Sequence, residues 1–197
     1  MIPIMYVLMM IPAALTGRPL VKLLTIYATQ EETYSRLTSH APNLYLFLPT
    51  KISIVDTTLI GVLITGMIAL AWVSMSASRI KEVTPKTILL CALVSVAFMP
   101  FFLPKMHERY FYLADCLSFL AAFYFPQAWL VALGYQLVSI LTYSIFLFSS
   151  VIPVSHVFAR NLLITAVFVN TALITYLFSN QFDWIRGSTG KQVTLNP

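Results

Sequence analysis

Long apolar runs alternate with short polar breaks along most of the chain, and the breaks define the expected elements. Met1 to Leu15 is apolar throughout and predicts a first, short span. Further spans are expected at Thr57 to Ser76, Thr87 to Leu103, Phe111 to Phe125, Ala128 to Phe148 and Asn161 to Phe178, since each run approaches the roughly 20 residues that cross a bilayer. Asp56 stands at the start of the second run, where its carboxylate suits a helix cap. The breaks are the segment Arg79–Lys86, the turn Lys105–Tyr110, the Pro126-Gln127 corner and the Ser149–Arg160 loop. Residues 179–197 are polar and are expected to form a partly disordered tail outside a helical domain spanning 1–178.

The stretch Thr16 to Asp56 differs from the other breaks because it is long and not simply polar. Leu20, Leu23, Leu24 and Tyr27 recur at helical spacing behind Pro19, which predicts an amphipathic helix lying in the headgroup region. From Thr38 to Pro49, Pro42, Asn43 and Pro49 bracket an apolar group around Tyr45. A regular span is blocked there, and a loop dipping back towards the bilayer is expected. The predicted fold is therefore all-α: a polytopic transmembrane bundle of about six spans with an amphipathic, re-entrant loop over residues 16–56.

Composition sharpens this picture. Of 197 residues, 59% are hydrophobic and 10% are charged, where a soluble domain carries roughly 25% charged residues. Disorder, a disulfide scaffold and an ordinary soluble enzyme are all disfavoured. The net charge of +5 comes from scattered single Lys and Arg residues, which read as loop and headgroup anchors and not as a nucleic-acid surface. The cations divide almost evenly between the two sides of a six-span topology. The denser Arg79–Lys86 loop favours the cytoplasm for its side. Cys91 and Cys116 fall inside apolar runs and are read as free thiols, and no Cys/His cluster suggests a metal site.

Chemistry concentrates in Lys105-Met106-His107-Glu108-Arg109-Tyr110, where four of five consecutive residues from Lys105 are ionisable between two apolar runs. Lys105 and Arg109 can supply charge-assisted hydrogen bonds to a phosphate at the membrane surface, His107 can add another, and Glu108 can orient a cation. The alternative is a solvated hairpin whose cations meet lipid phosphates. Asp115 lies within the following run, where an ionised group costs roughly 2.5–3.5 kcal/mol and so must face protein or water. A cation or a tyrosine is its expected partner, and Tyr112 sits one turn back on the same face. In the long loop Arg18, Gln30, Glu31, Glu32, Tyr34, Arg36, His40 and Asn43 form a second polar set. Glu31 and Glu32 read as solvated, and Asn43 as a turn residue.

Several of these residues also carry a resemblance. Gly17-Arg18-Pro19-Leu20, Ile26-Tyr27, Gln30, Tyr34, Leu37-Thr38, Ala41-Pro42-Asn43-Leu44-Tyr45 and the run Phe101 to Asp115 resemble the C-terminal half of bacterial, especially cyanobacterial-type, mannosyltransferase-like membrane proteins. Those are relatives of the enzymes that add the second mannose to GPI anchors, within the GT-C class of glycosyltransferases. The His107-Glu108-Arg109 turn is similar to the His-Glu-Lys turn of the dolichyl-phosphate-glucose-dependent glucosyltransferases of that class. The resemblance covers about Ala14 to Phe125, and its Lys-Met-His-Glu-Arg-Tyr turn is the specific part.

The resemblance implies an inner-membrane, cell-envelope protein. It also implies a polyprenyl-phosphate sugar as donor, inverting transfer without a nucleotide sugar, and an active site on the extracytoplasmic face. On this basis Lys105, His107 and Arg109 are expected to contact the donor phosphate, with Glu108, Tyr110, Asp115, Arg18 and Asn43 in support. The class carries its catalytic carboxylate in a first large extracytoplasmic loop, and no such loop precedes the first span here. A donor-binding portion, inactive without an N-terminal half or partner subunit, is the expectation. Two rivals use the same cations without chemistry: a transporter or flippase subunit for a lipid-linked intermediate, and a membrane scaffold anchored to headgroups.

Overall fold

The computed structural model describes residues 2–25, 36–49, 53–148 and 155–190. The chain forms an all-α helical bundle, apart from one two-residue strand pair. It divides into two compact units, Met1–Arg36 and Leu37–Pro197.

In the first unit, α1 (Ile2–Leu15) ends in a Schellman motif. The Arg18 N–H reaches the Ala13 carbonyl (3.2 Å) and the Gly17 N–H reaches Ala14 (3.0 Å). Gly17 adopts φ +90°, which a residue without Cβ tolerates at no steric cost. Pro19 then precedes α2 (Leu20–Leu24). Within this turn only Leu23 is buried, while Leu20 and Leu24 stay exposed. The expected amphipathic helix is therefore a single turn among the described residues, and Tyr27 lies outside them.

The second unit holds β1 (Thr38–Ser39), a 3-10 turn Leu44–Phe47, and α3 (Ile54–Arg79). These are followed by α4 (Pro85–Phe102), β2 (Met106–His107), α5 (Tyr112–Tyr124), α6 (Trp129–Phe148) and α7 (His156–Gly190). Three of the helices start earlier than hydropathy suggested, because the N-cap is a hydroxyl outside the apolar run. Ser53 Oγ accepts from the Asp56 N–H, so Ser53 caps α3 and Asp56 sits in its first turn beside the positive end of the helix dipole. Thr84 caps α4 through the Thr87 N–H with Pro85 at the first position. Ser155 caps α7 through Phe158.

Among the described residues four helical segments are long and apolar enough to cross a membrane: Ile54–Arg79, Pro85–Phe102, Pro126–Ile145 and His156–Gly187. The chain is thus an integral membrane protein. The α1 and α5 helices have 14 and 13 described residues, short of the roughly 20 that span, so among the described residues four of the expected spans are shown. Helices α4 to α7 pack in succession and α7 returns onto α4, closing a four-helix ring with α3 against its outside. Leu90, Leu93, Phe98, Phe101, Tyr135 and Leu177 are among its core side chains. The two cysteines are free and half-buried.

The polar tail expected from residue 179 is instead helical as far as Gly190. Side chains explain the extension. Gln181 Oε1 accepts from Trp72 Nε1 of α3 (3.0 Å), the Arg79 guanidinium lies 5.0 Å from the Phe182 ring centre, and Trp184 and Ile185 are buried in the core. At 35 residues α7 is about 50 Å long, well beyond the roughly 30 Å hydrocarbon core.

Candidate functional site

The charged turn between α4 and α5 is a short strand clasped by the preceding loop. The α4 helix stops at Phe102 because Pro104 bars its preceding residue from helical geometry. The chain then turns through Lys105, which takes φ +58°. The Lys105 N–H donates to the Leu37 carbonyl (2.7 Å), and β1 pairs in parallel with β2, Thr38 opposite Met106 and Ser39 opposite His107. His40, also at φ +58°, bridges to His107. Two non-glycine residues, one just before β2 and one just after β1, are thus held left-handed, at roughly 1–2 kcal/mol each. Strain of this kind persists where neighbouring structure enforces it, and it gathers at binding sites.

The charged residues follow immediately on a 3-10 turn, Glu108–Phe111. The Tyr110 ring lies between two of them: its centre is 6.1 Å from the His107 ring and 5.9 Å from the Arg109 guanidinium carbon. Lys105, His107 and Glu108 are half-buried, while Arg109 and Tyr110 are exposed. Tyr143 of α6 stands within electrostatic reach of Glu108, Arg109 and Asp115. An apolar groove of about 470 Å³, lined by Phe102, Ile68, Ile174 and Phe178, starts three residues before Lys105 and runs between α3 and α7.

The loop that clasps the turn is fixed from beneath by buried polar contacts. Asn43 is fully buried, its N–H bonded to the Ala41 carbonyl (2.9 Å) and its amide Nδ2 3.5 Å from the Leu103 carbonyl. Asn170, also fully buried, donates from Nδ2 to the Pro42 carbonyl (2.9 Å), tying the loop to α7. The Tyr45 hydroxyl donates to the Phe102 carbonyl (2.8 Å), the last residue of α4. It passes so close to α3 that a Cβ at Gly61 would lie 2.1 Å from it. Phe47 meets Phe168 of α7 at 5.9 Å between ring centres.

Burial pushes the Tyr45 phenol above its ordinary value of 10.0. The sign follows directly: the folded chain resists losing this proton. The Tyr45 contribution is complete below pH 10 and is lost as pH rises through the raised folded value. Alkaline titration monitored by the binding or fluorescence of the loop should show this step in the wild type and lack it in Tyr45→Phe.

Lys105, His107, Glu108, Arg109 and Tyr110 therefore meet on one turn, with Asn43 buried under it. Asp115 is further along. Its side-chain hydrogen bond comes from Ser139 of α6, whose Oγ donates to Asp115 Oδ2 at 2.6 Å, a partner on the neighbouring helix that spacing along α5 does not reveal, while Tyr112, Tyr135 and Tyr143 stand within its electrostatic reach. Arg18 belongs to the first unit, exposed in the turn after α1. Arg36 is exposed at the end of that unit, and Gln30, Glu31, Glu32 and Tyr34 lie outside the described residues.

Three supporting residues, Gly61, Ser139 and Asn170, were not singled out by sequence, and Tyr45 was named there without this role. Asn170 offered a signal, since an amide in the middle of an apolar span must find a partner. No protein-family model, no curated protein and no solved structure matches this chain.

Proposed function

We propose that this chain binds a polyprenyl-phosphate-linked sugar at the Lys105–Tyr110 turn, as the donor-binding portion of a membrane glycosyltransferase of the GT-C, mannosyltransferase-like kind. The observation that carries the reading is the clasped turn: Lys105 and Arg109 flank His107 on a segment held by β1 and by two left-handed residues. A headgroup anchor needs only cations, whereas a cradle for one phosphate needs them in fixed relative positions. The apolar groove running from Phe102 gives an isoprenoid chain a place to leave the site along the bilayer. The resemblance of the His107-Glu108-Arg109 turn to that class supplies the sugar-transfer part, together with a bacterial inner-membrane location and an extracytoplasmic face for the turn.

On this reading Lys105 and Arg109 neutralise the phosphate and His107 donates a hydrogen bond to it. Glu108 orients Arg109, and Tyr110 keeps the imidazole and guanidinium apart. The test is equilibrium binding of a polyprenyl-phosphate mannose to the chain in nanodiscs. His107→Ala/Arg109→Ala should lower affinity by roughly tenfold or more, since each lost charge-assisted hydrogen bond is worth about 1.5–3 kcal/mol. Helical content and melting should stay unchanged. Undiminished binding by the double variant would leave the turn as a headgroup anchor in a scaffold. Binding lost together with accelerated lipid movement between leaflets in the wild type would favour the flippase reading.

A further inference from the structure

One charge is buried in the apolar interior of the bundle. Asp115 of α5 is 8% exposed and is the only Asp, Glu, Lys, Arg or His among the described buried residues. Its Oδ2 accepts from Ser139 Oγ at 2.6 Å, the length of a hydrogen bond to an ionised carboxylate. Its Oδ1 is buried without a hydrogen-bond partner among the described residues, and no described Lys, Arg or His is ion-paired with it. The Tyr135 hydroxyl of α6 is in the same condition: fully buried, without a partner, and within the electrostatic reach of Asp115. Tyr135 and Ser139 lie one turn apart on one face of α6. The nearby hydroxyls give their protons to backbone: Ser118 Oγ donates to the Asp115 carbonyl at 3.0 Å, and Thr142 Oγ1 to the Val138 carbonyl at 3.0 Å. The seam between α5 and α6 therefore presents oxygen lone pairs and one negative charge.

We infer that this seam binds a monovalent metal cation, anchored on Asp115 Oδ1, with the Tyr135 hydroxyl as the neighbouring neutral oxygen and Ser139 orienting the carboxylate through Oδ2. An ionisable side chain inside a membrane bundle marks an ion or proton site unless a partner neutralises it, and the other candidate partners each leave something buried uncompensated. A proton on Oδ1 would create a donor with no described acceptor within hydrogen-bond range. A water molecule would satisfy both oxygens but leave the carboxylate charge in place. A divalent ion would bring a surplus positive charge, since no second carboxylate is among the described buried residues. A monovalent metal ion cancels the charge and takes oxygen lone pairs as ligands. Half-buried Tyr143 stands within reach of Asp115 and also of Glu108 and Arg109 on the charged turn, which places the site near that end of the bundle. The site shares no residue with the Lys105–Tyr110 turn and stands whether or not that turn binds a lipid-linked sugar.

The experiment is equilibrium binding of radiolabelled sodium and, separately, of radiolabelled rubidium as a stand-in for potassium, to the full chain in nanodiscs of uncharged lipid, with choline chloride holding the ionic strength constant. Wild type should bind at least one of the two ions saturably, and which one it binds reports the size of the site. Asp115→Asn keeps the shape and removes the charge, and it should abolish that binding. Tyr135→Phe keeps the carboxylate and should weaken binding by roughly fivefold, the worth of one neutral oxygen ligand. In choline chloride alone Asp115→Asn should melt no lower than wild type, because it removes an uncompensated buried charge, and the metal chloride should raise the midpoint of wild type only. His107→Ala/Arg109→Ala should bind the ion no more weakly than wild type, which separates this site from the proposed donor site. No saturable binding of either ion by wild type, or binding that survives Asp115→Asn, would overturn the assignment. Should Asp115→Asn fail to fold, unchanged ion affinity in Tyr135→Phe together with a wild-type midpoint indifferent to the metal chloride would overturn it equally.

Discussion

Gly61→Ala should destabilise the bundle by about 2–3 kcal/mol, the upper part of the range for an extra methyl in a packed interior, although it adds only one carbon. The new Cβ would stand 2.1 Å from the Tyr45 hydroxyl, 3.0 Å from its ring carbon Cζ and 3.2 Å from Pro104 Cδ. Neither obstacle is soft. Pro104 is a ring in the chain reversal after α4, and the Tyr45 hydroxyl is held by the Phe102 carbonyl at 2.8 Å. Relief requires Tyr45 to swing out, which breaks that hydrogen bond and lifts the loop that pairs with β2. Tyr45→Phe removes the atom that clashes worst and leaves Cζ as the nearest neighbour, so the double variant should recover part of the loss. The two single effects should therefore be non-additive in chemical unfolding followed by a loop fluorophore. Additive effects would mean that Tyr45 and Gly61 do not touch.

Asn170→Leu is expected to have the next largest effect, roughly 1–3 kcal/mol, the cost of leaving a buried carbonyl without its donor. Leu nearly preserves volume and suits the apolar surroundings of α7; it removes the bond from Nδ2 to the Pro42 carbonyl together with the buried, unpartnered Oδ1, whose removal offsets part of the loss. The physical consequence lies at the turn, some distance along the chain. Ala41, Pro42 and Asn43 are buried between α7 and the segment after α4, and the residues just before them form β1. Freeing Pro42 loosens β1 against β2, so hydrogen exchange at Lys105, whose N–H is bonded to Leu37, should accelerate. Binding of a polyprenyl-phosphate sugar should weaken in parallel. An unchanged exchange rate at Lys105 would show that the clasp holds without α7.

Legibility from sequence tracks the range of the interaction involved. Four of the expected spans were legible because an apolar run of this length has few other uses, and the charged turn was legible because four ionisable residues are dense between such runs. Helix starts were displaced by two to five residues because Ser53, Thr84 and Ser155 are polar and so read as loop, though a capping hydroxyl belongs to the helix. The extension of α7 through Gly190 was illegible because Gln181, Phe182 and Trp184 find partners on α3 and at the Phe125 corner, all distant in sequence. The same holds for the site. Lys105, His107 and Arg109 are neighbours in the chain and were visible. The clasp through Leu37 and His40, the Tyr45–Gly61 contact and the Asn170–Pro42 bond join residues far apart, and only the fold brings them together.

The most direct test of a phosphate cradle at Lys105–Tyr110 compares two ligands that differ only in that group. Binding of a polyprenyl phosphate and of the matching uncharged polyprenol would be measured with the full chain in nanodiscs of constant composition. The expected result is at least roughly tenfold tighter binding of the phosphate, with the difference abolished by Lys105→Gln/Arg109→Gln and the polyprenol affinity left unchanged. Equal affinities in the wild type, or a phosphate preference that survives in the double variant, would contradict a phosphate site at this turn.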